Sequence, residues 1–211
     1  MPSKAGRLAA SAVVLGGGQG RRMGGNKLFL SVEGTFLLER VLGRLSPLFE
    51  ELVLAVGPDD EKPLRRLFGS LFDRLSLVVV VDAVPGRGPL EGLASAFRAV
   101  TKDWIFAVGC DMPWVQEAVV RAQWGFREPE SQVLCARLGG YLEPLHAFYR
   151  RDCLAAVEAA LERGQRQVKA FYDDVKVTVV AEERFLALPG YGRSFGGLNT
   201  PEELARWLLE R

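Results

Sequence analysis

Four short apolar runs punctuate the first half of the chain: Ala12–Leu15 (AVVL), Leu52–Val56 (LVLAV), Leu77–Val81 (LVVVV) and Trp104–Val108 (WIFAV). They are continuous rather than alternating and rich in β-branched residues, which predicts strands buried on both faces, as in a parallel sheet. Between them apolar residues recur at helical spacing. Phe36, Leu37, Val41, Leu42 and Leu45 share one face of a helix. Leu64, Leu67, Phe68 and Leu71 do the same after Pro63, as do Leu90, Leu93, Ala94, Phe97 and Val100, and then Val115, Val119, Ala122 and Phe126. Strand alternating with helix predicts right-handed βαβ units in an α/β three-layer sandwich with a mostly parallel central sheet.

The second half is less regular. Gln132–Arg137 and Pro144–Tyr149 read as strands joined through Gly139-Gly140, and Lys176–Ala181 as another. Asp152–Arg163 reads as a helix with Asp152 as its cap, and Val168–Tyr172 as one or two helical turns. Thr200-Pro201-Glu202-Glu203 is a capping box with Pro at the first helical position, opening a helix with Leu204, Trp207 and Leu208 inward. No repeat, low-complexity segment or linker interrupts the pattern, so residues 1–211 read as a single domain.

Composition narrows the classes. The 27 Lys+Arg and 26 Asp+Glu nearly cancel, leaving no overall field for gripping nucleic acid. Cys110, Cys135 and Cys153 are spread without a C-x-x-C pair, which speaks against a disulfide framework or a Cys-rich zinc site and suits a cytoplasmic protein. No apolar run approaches the ~18–20 residues of a membrane span. Lys4 and Arg7 precede the apolar stretch Leu8–Leu15, but that stretch runs into Gly16-Gly17-Gly18 and Arg21-Arg22 without a small-residue cleavage pattern, so it reads as a buried strand rather than a leader.

In an open parallel sheet, ligands bind beyond the carboxyl ends of the strands. The segments leaving those ends are chemically rich. The first strand runs into a loop with six glycines in residues 16–25, ending in Arg21, Arg22 and Lys27. So few side chains let backbone N–H groups approach an anion, and the cations suit a polyphosphate. The loop is not a Walker A, because Leu28 rather than a hydroxyl residue follows Lys27; nor is it a G-x-G-x-x-G fingerprint, because Arg21 stands at its sixth position. Asp82 comes directly after the third strand, where it is either a turn-former or a site residue. Asp111 comes after the fourth, in Gly109-Cys110-Asp111-Met112-Pro113. It is either a cap for the next helix or a hard-metal ligand, and opposite a basic Gly-rich loop the ligand reading is the stronger. His146, the only histidine, lies in an apolar strand and reads as a core or pocket-wall residue, and Cys110 as a small buried one. Nothing forms a Ser–His–Asp set, and one histidine cannot supply a His-rich metal centre.

The run Leu15-Gly16-Gly17-Gly18-Gln19-Gly20-Arg21-Arg22-Met23-Gly24-Gly25-Asn26-Lys27 resembles the signature loop of the GT-A-like nucleotidyltransferases, L-[AG]-G-G-x-[SAG]-x-R-M-G-x-x-K. Three further pieces occur in order: Asp82 with Gly88-Pro89-Leu90-Glu91-Gly92-Leu93, Cys110-Asp111-Met112-Pro113, and Asn199-Thr200-Pro201-Glu202-Glu203-Leu204. From Ala12 to the C-terminus the chain is similar to the molybdenum cofactor guanylyltransferase family. The resemblance implies a nucleotide-diphospho-sugar transferase (Rossmann-like) fold and transfer of GMP from GTP to the terminal phosphate of molybdenum-molybdopterin, with Mg²⁺. It implies that Leu15, Gly16, Gly17 and Gly18 line the nucleotide site, that Arg22 and Lys27 meet phosphate, that Asp82 contacts the nucleotide, and that Asp111 binds Mg²⁺. It further implies molybdenum insertion proteins and molybdoenzyme chaperones as partners. The family commonly carries Asp where Asn26 stands, and an Asn beyond the second strand where this chain has Val56-Gly57-Pro58-Asp59. The alternatives are a cytidylyltransferase for the same cofactor, a sugar-phosphate nucleotidyltransferase, and a non-catalytic carrier or regulatory module.

Overall fold

The computed structural model describes residues 6–16, 26–200 and 203. Strand β1 (Leu8–Leu15) leads to a two-residue hairpin of β2 (Ser31–Val32) and β3 (Thr35–Phe36), then α1 (Leu37–Leu45). Next come β4 (Phe49–Val56), α2 (Glu61–Leu75), β5 (Val78–Val81), α3 (Pro89–Ala99), β6 (Trp104–Gly109) and α4 (Glu117–Trp124). The second half supplies β7 (Val133–Leu138), β8 (Tyr141–Arg150), α5 (Leu154–Glu162), β9 (Val177–Ala181) and the single turn α6 (Tyr191–Ser194).

Seven strands form one sheet in the order β5-β4-β1-β6-β8-β7-β9. Four neighbouring pairs are parallel, and only β8 runs against its neighbours β6 and β7. The mostly parallel three-layer sandwich is therefore present, with one antiparallel strand set inside it. Its source is local: Gly139 and Gly140 both take positive φ (53° and 89°), and Leu138 pairs with Tyr141 across them. Two successive positive-φ residues make a tight hairpin whose twist matches the flanking strands, so the chain reverses at once.

The inner strands β1, β4 and β6 are buried on both sides, whereas β5, expected to be buried likewise, lies at the edge of the sheet with Val78 exposed and Val79, Val80 and Val81 half-buried, because only β4 pairs with it. Val14, Leu54 and Phe106 face Leu38, Val41 and Leu42 of α1 and Phe68 of α2. Val13, Val53 and Ile105 face Leu93 and Phe97 of α3 and Val157 and Ala160 of α5. Leu8–Leu15 is thus an inner strand of the sheet, paired on both sides by β4 and β6. No helix among the described residues is long and apolar enough to cross a membrane.

Three local expectations change. Asp152 does not cap a helix: it lies in a 3₁₀ turn, Arg151–Cys153, and accepts from Arg150 Nε at 2.8 Å. Helix α2 begins at Glu61, before Pro63, because proline is tolerated in a first turn whose amides have no intrahelical acceptor. Val115 stays outside α4, which begins at Glu117 after Gln116. The capping box holds: Glu203 Oε2 accepts from the amides of Asn199 (2.5 Å) and Thr200 (3.1 Å), and Glu203 N–H donates to Thr200 Oγ1 at 3.2 Å.

Candidate active site

The carboxyl ends of β1, β4, β5 and β6 form one rim. Leu15 O accepts from Cys110 N–H at 3.1 Å, and Asp82 N–H donates to Val56 O at 2.8 Å, so the residues leaving these strands start from fixed points. Gly16 donates its amide to Ala55 O at 2.8 Å, so this N–H continues the sheet ladder rather than standing free for an anion. Gly17, Gly18 and Arg22 lie outside the described residues.

Lys27 opens a 3₁₀ turn, Lys27–Phe29. Two features hold that turn: the side-chain oxygen of Asn26 accepts from Leu28 N–H at 3.1 Å, and Leu28 is fully buried. Lys27 Nζ donates to Asp111 Oδ2 at 2.5 Å and to Asn199 Oδ1 at 2.6 Å. The Lys27 and Asp111 side chains are only 15% and 16% exposed, so the pair is sheltered from screening. Asp111 is seated from two sides. Leu198 N–H donates to its carbonyl at 2.8 Å, and Gly109 makes room for its carboxylate: a Cβ at 109 would stand 2.4 Å from Asp111 Oδ1. No helix is capped by this carboxylate, since Gln116 is the residue that precedes α4.

Asp82 shares the rim but belongs to a second, acidic group. It is half-buried, and its Oδ1 has no hydrogen-bond partner among the described residues. Burial, with Glu91 and Asp60 nearby, pushes its pKa up to about 7. Glu91, in the first turn of α3, is 2% exposed; among the described residues its Oε2 lacks a hydrogen bond and has Arg87 Nη1 at 3.9 Å. Asp60 accepts from Asn26 Nδ2 at 2.6 Å, and its pKa is raised chiefly by burial, with Asp59 adding to the shift.

Lys27 and Asp111 are therefore in direct contact, Leu15 and Gly16 lie beside them on the rim, and Asp82 has Glu91 and Asp60 as its charged neighbours. Asn199 is the site residue that motif reading passed over, although it opens the N-T-P-E-E-L tail. Cys110 is buried, its thiol pushed well up by that burial, so it offers no thiolate. His146 is fully buried and sits in the core rather than on the rim.

The mostly parallel seven-stranded sheet, with its rim at the carboxyl ends of β1, β4, β5 and β6, has the nucleotide-diphospho-sugar transferase fold. The family model described as "MobA-like NTP transferase domain" matches residues 12–179. A probable molybdenum cofactor guanylyltransferase of Pelotomaculum thermopropionicum is 33% identical, over 94% of this chain and 92% of that protein. A molybdenum cofactor guanylyltransferase of Syntrophotalea carbinolica is 30% identical, over 93% and 90%. Among solved structures, molybdopterin-guanine dinucleotide biosynthesis protein A of Archaeoglobus fulgidus superposes with a TM-score of 0.78 at 25% identity, covering 93% of this chain and 95% of that one. The inositol-1-phosphate CTP transferase of T. maritima shares the fold, with a TM-score of 0.72 at 15% identity, covering 97% and 95%. The chain belongs to the MobA-like NTP transferase domain family, and is by class a nucleotidyltransferase.

Proposed function

We propose that the protein transfers GMP from GTP to the terminal phosphate of molybdenum-molybdopterin, giving the guanine dinucleotide form of the cofactor and pyrophosphate. The single observation that carries the reading is the Lys27–Asp111–Asn199 contact at the rim, in a chain 30–33% identical to guanylyltransferases over nearly its whole length. The attacking group is a phosphate oxygen, already anionic at neutral pH, so the site needs no strong base. That agrees with a rim lacking histidine. The oxygen attacks the α-phosphorus in line with the departing pyrophosphate. Lys27 neutralises charge on the triphosphate and on the leaving group, and the rim backbone fixes its position.

The donor set also fits Mg²⁺. Asp111 Oδ2 and Asn199 Oδ1 are hard oxygens that converge on one point, presently the ammonium of Lys27. Among the described residues no group of three His, Cys, Asp or Glu could enclose a metal, so water and phosphate oxygens would complete the shell, as Mg²⁺ prefers. Asp111 and Asn199 would hold the ion, and it would supply charge neutralisation at the triphosphate. Lys27 then moves its ammonium from Asp111 to phosphate oxygens, exchanging one anionic partner for another. Leu15, Gly16, Gly17, Gly18, Arg22 and Asp82 fall to the nucleotide in the same reading. Molybdenum insertion proteins and molybdoenzyme chaperones would supply and receive the cofactor.

Purified protein with Mg²⁺, molybdopterin and each of GTP, CTP, ATP and UTP, followed by pyrophosphate release, tests the proposal. A preference for GTP of at least about tenfold in kcat/KM is expected, because a wrong base leaves buried polar groups unpaired. An equal or greater rate with CTP would make the protein a cytidylyltransferase, and no pyrophosphate with any nucleotide would leave a binding module.

A further inference from the structure

His146 has no task in the proposed transfer, yet it is the only histidine and every polar atom of its ring is engaged. It lies in β8, fully buried, edge-on to Phe106 at 4.9 Å and against Phe195 at 4.3 Å. Burial holds its pKa down at about 3, so the ring is neutral. A neutral imidazole has one donor and one acceptor nitrogen, and its partners decide which is which. Gln123 donates both hydrogens of Nε2 to main-chain carbonyls, Leu134 at 3.0 Å and His146 at 3.1 Å. Its Oε1 is thus left to accept, and His146 Nδ1, 3.2 Å away, carries the proton. His146 Nε2 must then accept from Ser194 Oγ at 2.9 Å, and Ser194 Oγ in turn accepts Gln116 N–H at 2.9 Å.

This chain of bonds leads to the rim. Gln116 terminates the loop that begins with Asp111. Ser194 ends α6, five residues before Asn199. One hydroxyl therefore ties the Asp111 loop to the segment bearing Asn199. Four residues beyond it, Leu198 N–H reaches the Asp111 carbonyl. With both ties made, Asn199 Oδ1 arrives at Lys27 Nζ.

We propose that His146 is a positioning residue: by orienting the Ser194 hydroxyl it holds the segment 190–199 so that Asn199 and Asp111 present their oxygens together to a divalent cation and triphosphate. The inference rests on the transfer reading for its metal and nucleotide, but its core is a binding geometry that can be tested without the acceptor.

The decisive variants are Ser194→Ala, which removes only the hydroxyl, His146→Ala, and His146→Gln, which restores a donor and an acceptor. Binding of Mn²⁺ in the presence of GTP is read by electron paramagnetic resonance, the half-saturating Mg²⁺ by pyrophosphate release, and folding by Tm. Ser194→Ala is expected to weaken Mn²⁺ binding and raise half-saturating Mg²⁺ by about 5–10-fold, the scale of one hydrogen bond, with KM for GTP at saturating Mg²⁺ within about twofold. His146→Gln should return both readouts to within about twofold of the parent. The effect must pass through Asn199, so Ser194→Ala should add nothing in an Asn199→Ala background. Unaltered Mn²⁺ and Mg²⁺ dependence in a folded Ser194→Ala variant would overturn the proposal, as would full additivity with Asn199→Ala. Should His146→Ala not fold, His146→Leu, which keeps the bulk but has no nitrogen to accept from Ser194, takes its place: it should match the Ser194→Ala loss, and parental Mn²⁺ and Mg²⁺ dependence in that folded variant would overturn the proposal. Should the parent release no pyrophosphate while Ser194→Ala still weakens Mn²⁺ binding, the transfer reading falls and the positioning role stands.

Discussion

Replacing Asp111 by Asn separates a chemical role from a structural one, because the structure limits what the mutation can do to the fold. Asp111 caps no helix, and its main-chain bond to Leu198 does not depend on its side chain. The amide oxygen of Asn can still accept from the Lys27 ammonium, so an ion pair becomes an ammonium-to-amide hydrogen bond of the kind Lys27 already makes to Asn199. Losing the ion-pair part of the contact costs about 1 kcal/mol. For a chain of this length that lowers Tm by about 2–4 °C. Removing a fixed charge aimed at the reacting phosphates acts on another scale, about 10²–10³ in kcat. Calorimetry gives the first quantity, and single-turnover pyrophosphate release across a Mg²⁺ titration the second. Excess Mg²⁺ should recover part of the rate. Parental turnover with unaltered Mg²⁺ dependence would refute the assignment, and so would a fall in Tm beyond about 10 °C, since the carboxylate would then be holding the fold.

Lys27→Ala should lower kcat/KM for nucleotide by about 10–150-fold, the loss of one charge-assisted contact, and an unchanged value would remove Lys27 from the site. Gly109→Ala places a Cβ 2.4 Å from Asp111 Oδ1, so it should displace that carboxylate and cost at least about tenfold in kcat while β6 remains folded by far-ultraviolet circular dichroism. Asp82 and His146 give stability opposite pH slopes. The native pKa of Asp82, about 7, lies above its unfolded value, so the native state binds the extra proton and stability falls as pH rises from about 4 to 7; denaturant titrations of Asp82→Asn should lack that fall. The native pKa of His146, about 3, lies below its unfolded value, so stability falls as pH drops from about 6.5 towards 3, and His146→Gln should flatten that limb.

Much of this molecule is written in short-range pattern. The runs at 12–15, 52–56 and 104–108 are too apolar for any place but the middle of a covered sheet, and they became β1, β4 and β6. Asp111 was legible because a carboxylate directly after such a strand must emerge at the ligand-binding edge. Strand order was not legible. Nothing in Pro144–Tyr149 says that β8 lies between β6 and β7, since its sides are read by partners distant in sequence. The hairpin β2–β3 has only two residues per strand, too few to show alternation. Asp152 resembled a cap because Asp favours caps, but Arg150 two residues away offered its carboxylate a charged partner. The grouping of Asp82 with Glu91 and Asp60, and of Lys27 with Asn199, joins residues that only the completed fold brings near.

The ammonium of Lys27 meets partners 84 and 172 residues further along the chain. Contacts of such sequence separation are slow to form, because the entropy of closing the intervening loop is lost before the contact returns anything. Pairing Ser11 of β1 with Ile105 of β6 closes a stretch comparable to that between Lys27 and Asp111, but the contact with Asn199 closes a far longer one. A growing polypeptide that has made residues 27 and 111 but not yet 199 has its lysine and aspartate without the third member. The three-residue constellation is therefore complete only once residue 199 has come back to the turn that bears Lys27.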